Sequence, residues 1–291
     1  MNRRAIGAGP AVVLLHGIPT CGRLWDDVLE RLQSRFTCIA VDLPGFGGSP
    51  ALANGSRDPV RYAGEVERLR IELQISSWHV IGHDAGAAIA VHYAVGFPER
   101  VDRLVLCSPP VFPDFRVPWF FRLMRTPVVG DAVAPLMSLA IWRAGIFRAS
   151  RRRDPAFRAI VDACHRPFRG WRGVRRFVRL LRWGEPREVL ARTAGALSAI
   201  DAPTLVLHGR HDGAVPAAFA SRAAAIVRNA ELAFFDCGHF VPLDAPDAFC
   251  ARVLQFLDGG ASDHAPAVDA ASSSARASRR SVVSNPSVNP L

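Results

Sequence analysis

Short apolar runs recur along the chain, and each one stops at a loop rich in glycine, proline, histidine or aspartate. Short runs without polar alternation are typical of parallel strands that are buried on both faces. Between them lie stretches with apolar residues at helical spacing, such as Leu24, Val28 and Leu32. The pattern predicts an α/β fold with a mostly parallel, doubly wound sheet, whose strands lie at 11–15, 37–41, 78–81, 103–108, 204–207 and 231–235.

The alternation of strand and helix breaks between residues 111 and 194. This stretch has helical periodicity, dense arginine clusters and several tryptophans, among them Trp142, Trp171 and Trp183. We therefore predict a helical cap at 111–194, inserted into a core made of 1–110 and 195–258. Residues 259–291 are rich in alanine, serine, proline and valine without periodicity, which predicts a disordered tail.

The composition narrows the classes of function. All 36 basic residues are arginine, and the formal net charge is +10. This charge suggests nucleic-acid binding as one hypothesis. Most arginines fall on the expected solvent side of short helices, so we expect no nucleic-acid partner. The six cysteines lie far apart without a C-x-x-C pair, so we expect neither a metal site nor a disulfide framework. We also expect no membrane span and a cytoplasmic location, since the N-terminus lacks the apolar stretch of a signal peptide.

The candidate chemistry centres on Asp84, which stands between Gly82 and Gly86 after an apolar strand and before an alanine-rich helix. Glycines at these two places let helix and strand approach where they cross. A carboxylate that attacked an acyl carbon would form an anhydride and gain little. Attack on an alkyl carbon would give an ester that activated water can hydrolyse. The alternative is a glycine-rich turn with a surface aspartate that caps a helix.

Asp212 and His239 follow the last two predicted strands, in the order nucleophile, acid and base. His239 would deprotonate water, and Asp212 would orient its imidazole. The backbone N–H groups of Ile18 and Ala85 are the expected oxyanion donors, because one follows the loop of the first strand and the other follows the nucleophile. In the alternative interpretation, His239 is a structural loop residue and Asp212 caps the next helix. We do not expect His211 to take part.

Together these segments resemble the α/β-hydrolase superfamily, and within it the aspartate-nucleophile branch of epoxide hydrolases and haloalkane dehalogenases. The matching segments are His16–Pro19, Asp42–Gly47, Gly82–Gly86, Asp212 and Gly238–His239. The resemblance covers residues 10 to about 257. It implies hydrolysis of an epoxide or a carbon–halogen bond in a small apolar substrate, with water and without a metal or organic cofactor. An esterase-like activity, or a non-catalytic ligand-binding protein on this scaffold, is the alternative.

Two departures from the family pattern concern the leaving group. Haloalkane dehalogenases commonly hold the halide with a tryptophan after the nucleophile and often with an asparagine, where this chain has Ala85 and Ile18. Epoxide hydrolases typically use cap tyrosines, but neither tyrosine of this chain lies in the insertion. The resemblance therefore leaves Trp171, Trp142 and His165 as the cap residues that could contact the leaving group.

A third departure lies at the edge of the sheet. The family usually has two antiparallel strands before the segment that matches Ala11–Leu15, and only ten residues stand there in this chain. Asn2–Ile6 is the candidate remnant of the second strand. We therefore expect N-terminal edge strands that are truncated, with exposed backbone donors and acceptors.

Overall fold

The computed structural model describes residues 1–53, 55–56, 58–117, 119–126, 128, 139–181 and 187–259. Within these ranges, seven strands form one sheet in the order β1-β3-β2-β4-β5-β6-β7. Every neighbouring pair is parallel except β1 with β3. This confirms the predicted, mostly parallel sheet. The strands are β1 (Arg3–Ile6), β2 (Ala11–Leu15), β3 (Thr37–Val41), β4 (Trp78–His83), β5 (Val101–Cys107), β6 (Thr204–Gly209) and β7 (Ala230–Phe235).

Helices connect the strands, and further helices lie in the described part of the insertion between β5 and β6. The core helices are α1 (Asp26–Leu32), α2 (Pro59–Glu72), α3 (Ala85–Gly96), α9 (Ala217–Ile226), α10 (Val241–Asp244) and α11 (Pro246–Leu257). The described helices of the insertion are α4 (Trp119–Arg125), α5 (Leu139–Ala149), α6 (Pro155–His165), α7 (Gly170–Leu181) and α8 (Arg187–Ala196). Short 3-10 turns lie at Gly22–Trp25, Pro98–Arg100, Arg166–Phe168 and Leu197–Ala199.

The centre of the sheet is buried on both faces, as the unbroken runs predict. Every residue of β4 and β6 is buried, and all of β2 after Ala11 is buried. Because the parallel strands end at the same edge of the sheet, the loops that follow β2, β4, β6 and β7 meet there. These loops carry the predicted site residues.

The N-terminal segment is a strand, as its resemblance to a family edge strand predicts. β1 pairs antiparallel with β3, from Arg3 opposite Val41 to Ile6 opposite Cys38. Just before it, the Asn2 side-chain amide donates to Asp42 Oδ2 at 2.6 Å. The same carboxylate accepts from the backbone N–H groups of Gly22 and Gly48, both at 2.8 Å. Asp42 therefore organises the glycine-rich loop after β3.

The described part of the insertion packs on the core through aromatic side chains. Phe46, in the loop after β3, contacts Phe168 with ring centroids 6.0 Å apart, and Phe168 contacts Trp142 and Phe177. These helices belong with the sheet to one compact unit, Met1–Gly260. Trp183 and all but the first residue of the predicted tail lie outside the described residues. None of the described helices is both long and apolar enough to cross a bilayer.

Candidate active site

Asp84 occupies the sharp turn between β4 and α3. Its backbone has φ +52° and ψ −121°, a left-handed conformation that side chains disfavour. A Cβ on Gly86 would lie 2.2 Å from the Leu15 carbonyl oxygen, and one on Gly82 would lie 2.4 Å from the Gly86 oxygen. Both positions therefore require glycine, because helix and strand nearly touch there. The turn lifts the Asp84 carboxylate over the edge of the sheet.

Two backbone N–H groups donate to the Asp84 carboxylate. The Ile18 N–H donates to Asp84 Oδ1 at 2.9 Å, and the Ala85 N–H also donates to this carboxylate. Apart from this contact with the first residue of α3, the side chain makes no capping hydrogen bond to the helix, which argues against the alternative of a simple helix cap. Gly17 lies against the carboxylate, since a Cβ there would be 2.6 Å from Oδ1. The two predicted oxyanion donors thus both contact the Asp84 carboxylate, and the Ile18 N–H does so at Oδ1.

His239 lies between the two aspartates. Its Nδ1–H donates to Asp212 Oδ2 at 2.8 Å, and its Nε2 lies 3.7 Å from Asp84 Oδ2. The other Asp212 oxygen accepts from the N–H groups of Ala214 and Val215, both at 2.8 Å. Asp212 caps this local turn and orients His239 at once, because its two oxygens point in different directions. The structure therefore brings Asp84, Asp212 and His239 together.

Close contact of the last two loops makes this geometry possible. A Cβ on Gly209, at the end of β6, would lie 2.0 Å from the Gly238 carbonyl oxygen. The backbone N–H of His239 donates to the Ala149 carbonyl oxygen at 2.8 Å, which ties the loop to the end of α5. His239 is thus held from both the core and the cap.

The charges of the site are coupled. Burial raises the pKa of Asp84, and this is opposed by His239 and by the N–H groups of Ala85 and Ile18. Burial disfavours the His239 imidazolium, but the Asp212 carboxylate and then Asp84 outweigh it and raise the pKa of His239. Burial also works against the Asp212 charge, yet His239 and the turn N–H groups hold the pKa of Asp212 far below its usual value. The two carboxylates therefore stabilise the imidazolium form of His239, and His239 in turn stabilises the ionised form of Asp212.

Three further buried histidines surround these residues, and the sequence reasoning assigned them no role. His83 Nε2–H donates to the His239 carbonyl oxygen at 3.0 Å, and the two rings lie 4.7 Å apart. His16 donates from Nδ1 to the Gly17 oxygen and accepts at Nε2 from the Leu43 N–H. His208 Nε2–H donates to the Val215 oxygen at 3.1 Å. The signal that could have found them is a histidine at or next to the end of a buried strand.

Burial keeps these three histidines neutral. It lowers the pKa of His16 to about 4 and that of His83 to about 3, and it also lowers the pKa of His208. They are therefore hydrogen-bonding scaffold beside the site. By contrast, His211 is half exposed and bonds the Asp236 carboxylate at 2.6 Å, which agrees with the expectation that it takes no part.

His165 lies at the C-terminal end of α6, next to the loop that carries Ile18. Its neighbour Cys164 contacts Cys21 of that loop, with the two Sγ atoms 2.7 Å apart. His165 is only 5% exposed, and its ring meets that of Trp142 edge-on at 5.2 Å. Among the described residues, neither His165 Nδ1 nor Trp142 Nε1 has a hydrogen-bond partner. Two buried ring nitrogens without a hydrogen-bond partner among the described residues therefore belong to neighbouring rings, close to the loop that follows β2.

Trp171 lies elsewhere, on the surface. It is 61% exposed, and the Arg175 guanidinium sits 4.7 Å from the centre of its ring. An indole in that position is solvated and is poorly placed to contact a leaving group in a closed pocket. We therefore do not retain Trp171 as a substrate-binding residue.

Both tyrosines are buried in the core, and their hydroxyl groups have hydrogen-bond partners there. Tyr93 donates to Glu67 Oε2 at 2.9 Å and accepts from Trp78 Nε1 at 3.1 Å, and burial raises its pKa. The Tyr62 hydroxyl donates to the Pro44 oxygen at 3.2 Å. Neither hydroxyl is therefore placed to act as the cap tyrosine of an epoxide hydrolase.

The fold and the carboxylate–histidine–carboxylate site define the class of protein. The family described as alpha/beta hydrolase fold matches residues 10–246, and the chain belongs to this family. A haloalkane dehalogenase of Bradyrhizobium diazoefficiens is 30% identical over 292 aligned positions, covering 89% of this chain and 91% of the relative.

Other relatives carry different activities. A pimeloyl-[acyl-carrier protein] methyl ester esterase of Nitrosomonas europaea is 30% identical, covering 84% of this chain and 94% of the relative. The crystal structure of a putative ancestral haloalkane dehalogenase superposes with a TM-score of 0.76 at 27% identity, over 88% of this chain and 94% of that one. The chain therefore resembles hydrolases, and its relatives differ in the bond that they cleave.

Proposed function

We propose that this protein hydrolyses a bond at an alkyl carbon through a covalent ester of Asp84. The observation that carries the proposal is that the two oxygens of the Asp84 carboxylate have different neighbours. Oδ1 accepts from the Ile18 N–H at 2.9 Å, while Oδ2 faces His239 Nε2 at 3.7 Å. One oxygen is held for charge stabilisation, and the other is directed toward the space beside the base.

In the first step, Asp84 Oδ2 attacks the carbon, and the leaving group departs with the electrons of its bond. In the second step, His239 Nε2 takes a proton from water, and the hydroxide attacks Cγ of the ester. The negative charge that develops on Oδ1 is met by the Ile18 and Ala85 N–H groups. The ester C–O bond then breaks, and the departing alkoxide takes the proton from His239. The products are an alcohol, the leaving group and the acid form of Asp84, which releases its proton to water and becomes a carboxylate again.

Ester formation also prepares the base. The free Asp84 carboxylate is one of the groups that raise the pKa of His239. The ester carries no charge, so this contribution disappears once Asp84 is alkylated. The pKa of His239 is therefore lower in the ester than in the free protein, which favours the neutral imidazole that can accept a proton from water. The charge of Asp84 thus influences the pKa of His239, the residue that later activates water to hydrolyse the Asp84 ester.

The leaving group would meet His165 and Trp142. A buried N–H without a partner is unfavourable by about 1–3 kcal/mol, so a site that retains one gains when a ligand accepts from it. Burial, reinforced by the positive charges of Arg169 and Arg143, lowers the pKa of His165. A neutral imidazole and an indole donate hydrogen bonds but are weak acids. A halide needs donors and no proton, whereas an epoxide oxygen needs a proton. This favours a carbon–halogen bond over an epoxide.

The covalent step is tested with the His239→Gln variant. Incubation with bromohexane or epoxyhexane, followed by mass spectrometry of the peptides, is expected to reveal an adduct on Asp84 that persists. The bromoalkane should add a hexyl group in place of one hydrogen, and the epoxide should add its whole mass. His211→Gln is the matched control, because that histidine is exposed and lies outside the site. It should turn over at the wild-type rate without accumulating adduct.

Full multiple turnover by His239→Gln would contradict the mechanism, and an adduct on another residue would contradict the assignment of Asp84. If both compounds stabilise the wild-type protein but are recovered unchanged, the chain is a ligand-binding protein on this scaffold.

The same two compounds test the residues that would contact the leaving group. Trp142→Phe and His165→Phe should each slow cleavage of the carbon–halogen bond, measured as the rate at which halide appears. Trp171→Phe should leave this rate unchanged. Equal rates in all three variants would contradict the assignment of Trp142 and His165 as the residues that contact the leaving group.

A further inference from the structure

One face of the cap is strongly basic. The segment Arg166–Leu181 contains six arginines and neither aspartate nor glutamate. The Arg176 guanidinium turns back and donates to the Ser49 carbonyl oxygen. The others are exposed, and we refer to them as the α7 basic face: Arg166, Arg169, Arg172, Arg175 and Arg179.

The α7 basic face is a stripe on an amphipathic helix. Arg172, Arg175 and Arg179 are three and four residues apart, so they share one side of α7. The opposite side, with Phe177 and Val178, is buried against the protein. A helix of this length extends roughly 18 Å, and Arg172, Arg175 and Arg179 are exposed along it. The helix therefore lies flat on the molecule and presents its charge outward.

Exposed apolar side chains accompany the arginines. Trp171, 61% exposed, opens α7 and lies under the Arg175 guanidinium. The neighbouring helix α4, which packs on α7 through Phe121 and Phe177, exposes Leu123 by 41%. Val128, shortly after α4, is 80% exposed. α4 also carries no acidic residue. Two adjacent helices thus combine exposed arginines with exposed apolar groups.

We propose that the α7 basic face, with Trp171 and Leu123, binds the anionic headgroup surface of a lipid bilayer. Arginines beside such a surface gain from its negative potential, and an indole is well suited to the boundary between headgroups and acyl chains. A nucleic acid would engage the arginines but would leave the exposed Leu123 and Val128 unexplained. The flat stripe suits an extended planar partner, and the apolar side chains suit its interfacial layer.

The test is co-sedimentation of the full chain with vesicles of phosphatidylcholine alone or mixed with phosphatidylglycerol. We expect binding to the mixed vesicles only, weakened by salt, because exposed charges are screened. The triple variant Arg172→Gln/Arg175→Gln/Arg179→Gln should reduce the partition coefficient on the order of 100-fold. A second variant, Trp171→Ala, should reduce it several-fold and leave the salt dependence unchanged.

A matched control removes the same charge elsewhere. Arg61, Arg68 and Arg228 are exposed on the core, and the triple variant with glutamine at these positions should bind within about two-fold of the wild type. Equal loss in both triple variants would show that net charge, and not α7, governs binding. Failure of the wild type to bind mixed vesicles would overturn the proposal, and so would binding to polyuridylate in its place. None of these outcomes depends on the chemistry proposed for Asp84.

Discussion

The backbone of Asp84 allows a direct test of strain at the elbow. We compare Asp84→Ala with Asp84→Gly, both of which remove the carboxylate and leave the Ile18 N–H without its acceptor. At φ +52° and ψ −121°, a residue with a Cβ is strained by about 2–3 kcal/mol, and glycine is not. Glycine loses more chain entropy on folding than alanine does, and this offsets about 0.5–1 kcal/mol of the strain that glycine relieves. The glycine variant should therefore be more stable than the alanine variant by about 1–2 kcal/mol.

The assay is equilibrium unfolding in urea, checked by thermal melting, where 1 kcal/mol corresponds to roughly 2–4 °C for a large domain. Ser221, exposed within α9, supplies the control pair. There glycine should be less stable than alanine by about 1 kcal/mol, which is the opposite order. The same order at both positions would refute the strain at Asp84. Both Asp84 variants should be folded and inactive, and retained turnover in either one would refute the nucleophile assignment.

Two further predictions concern the surroundings of the nucleophile. In Gly17→Ala the new Cβ would meet Asp84 Oδ1 at 2.6 Å, so loss of the Ile18 contact should slow single-turnover hydrolysis about 100- to 1,000-fold. Gly64→Ala, where a Cβ meets nothing within 4 Å, is the control and should stay fully active; equal activity in the two variants would contradict the contact. In Asp84→Asn, the pKa of His239 should fall, because Asp84 raises it in the wild type. An NMR titration that finds the same or a higher pKa would contradict this coupling. Hydrolysis of the ester should remain fast to a lower pH than the raised pKa of His239 in the free protein, because the alkylated Asp84 no longer raises that pKa.

The amino-acid sequence by itself determined the sheet and the order of its strands along the chain. Unbroken apolar runs such as Ala11–Leu15 and Thr37–Val41 became strands with those same bounds, because a strand buried on both faces has few alternatives. The glycines around Asp84 were also readable, since only glycine fits where helix and strand nearly touch. Asp212 and His239 were found from their positions after strands, because parallel strands bring those loops to one edge.

Tertiary structure alone decided which aromatic side chains of the insertion are buried. Trp171 and Trp142 look alike in the sequence, yet one is 61% exposed and the other 4% exposed. Helical periodicity did not separate them, because the side of a cap helix that is buried depends on how the helices pack together. The neutral state of His16 and His83 was likewise decided by burial, which no local pattern reports. Their low pKa values arise from desolvation by residues that are distant in the chain but close in the fold.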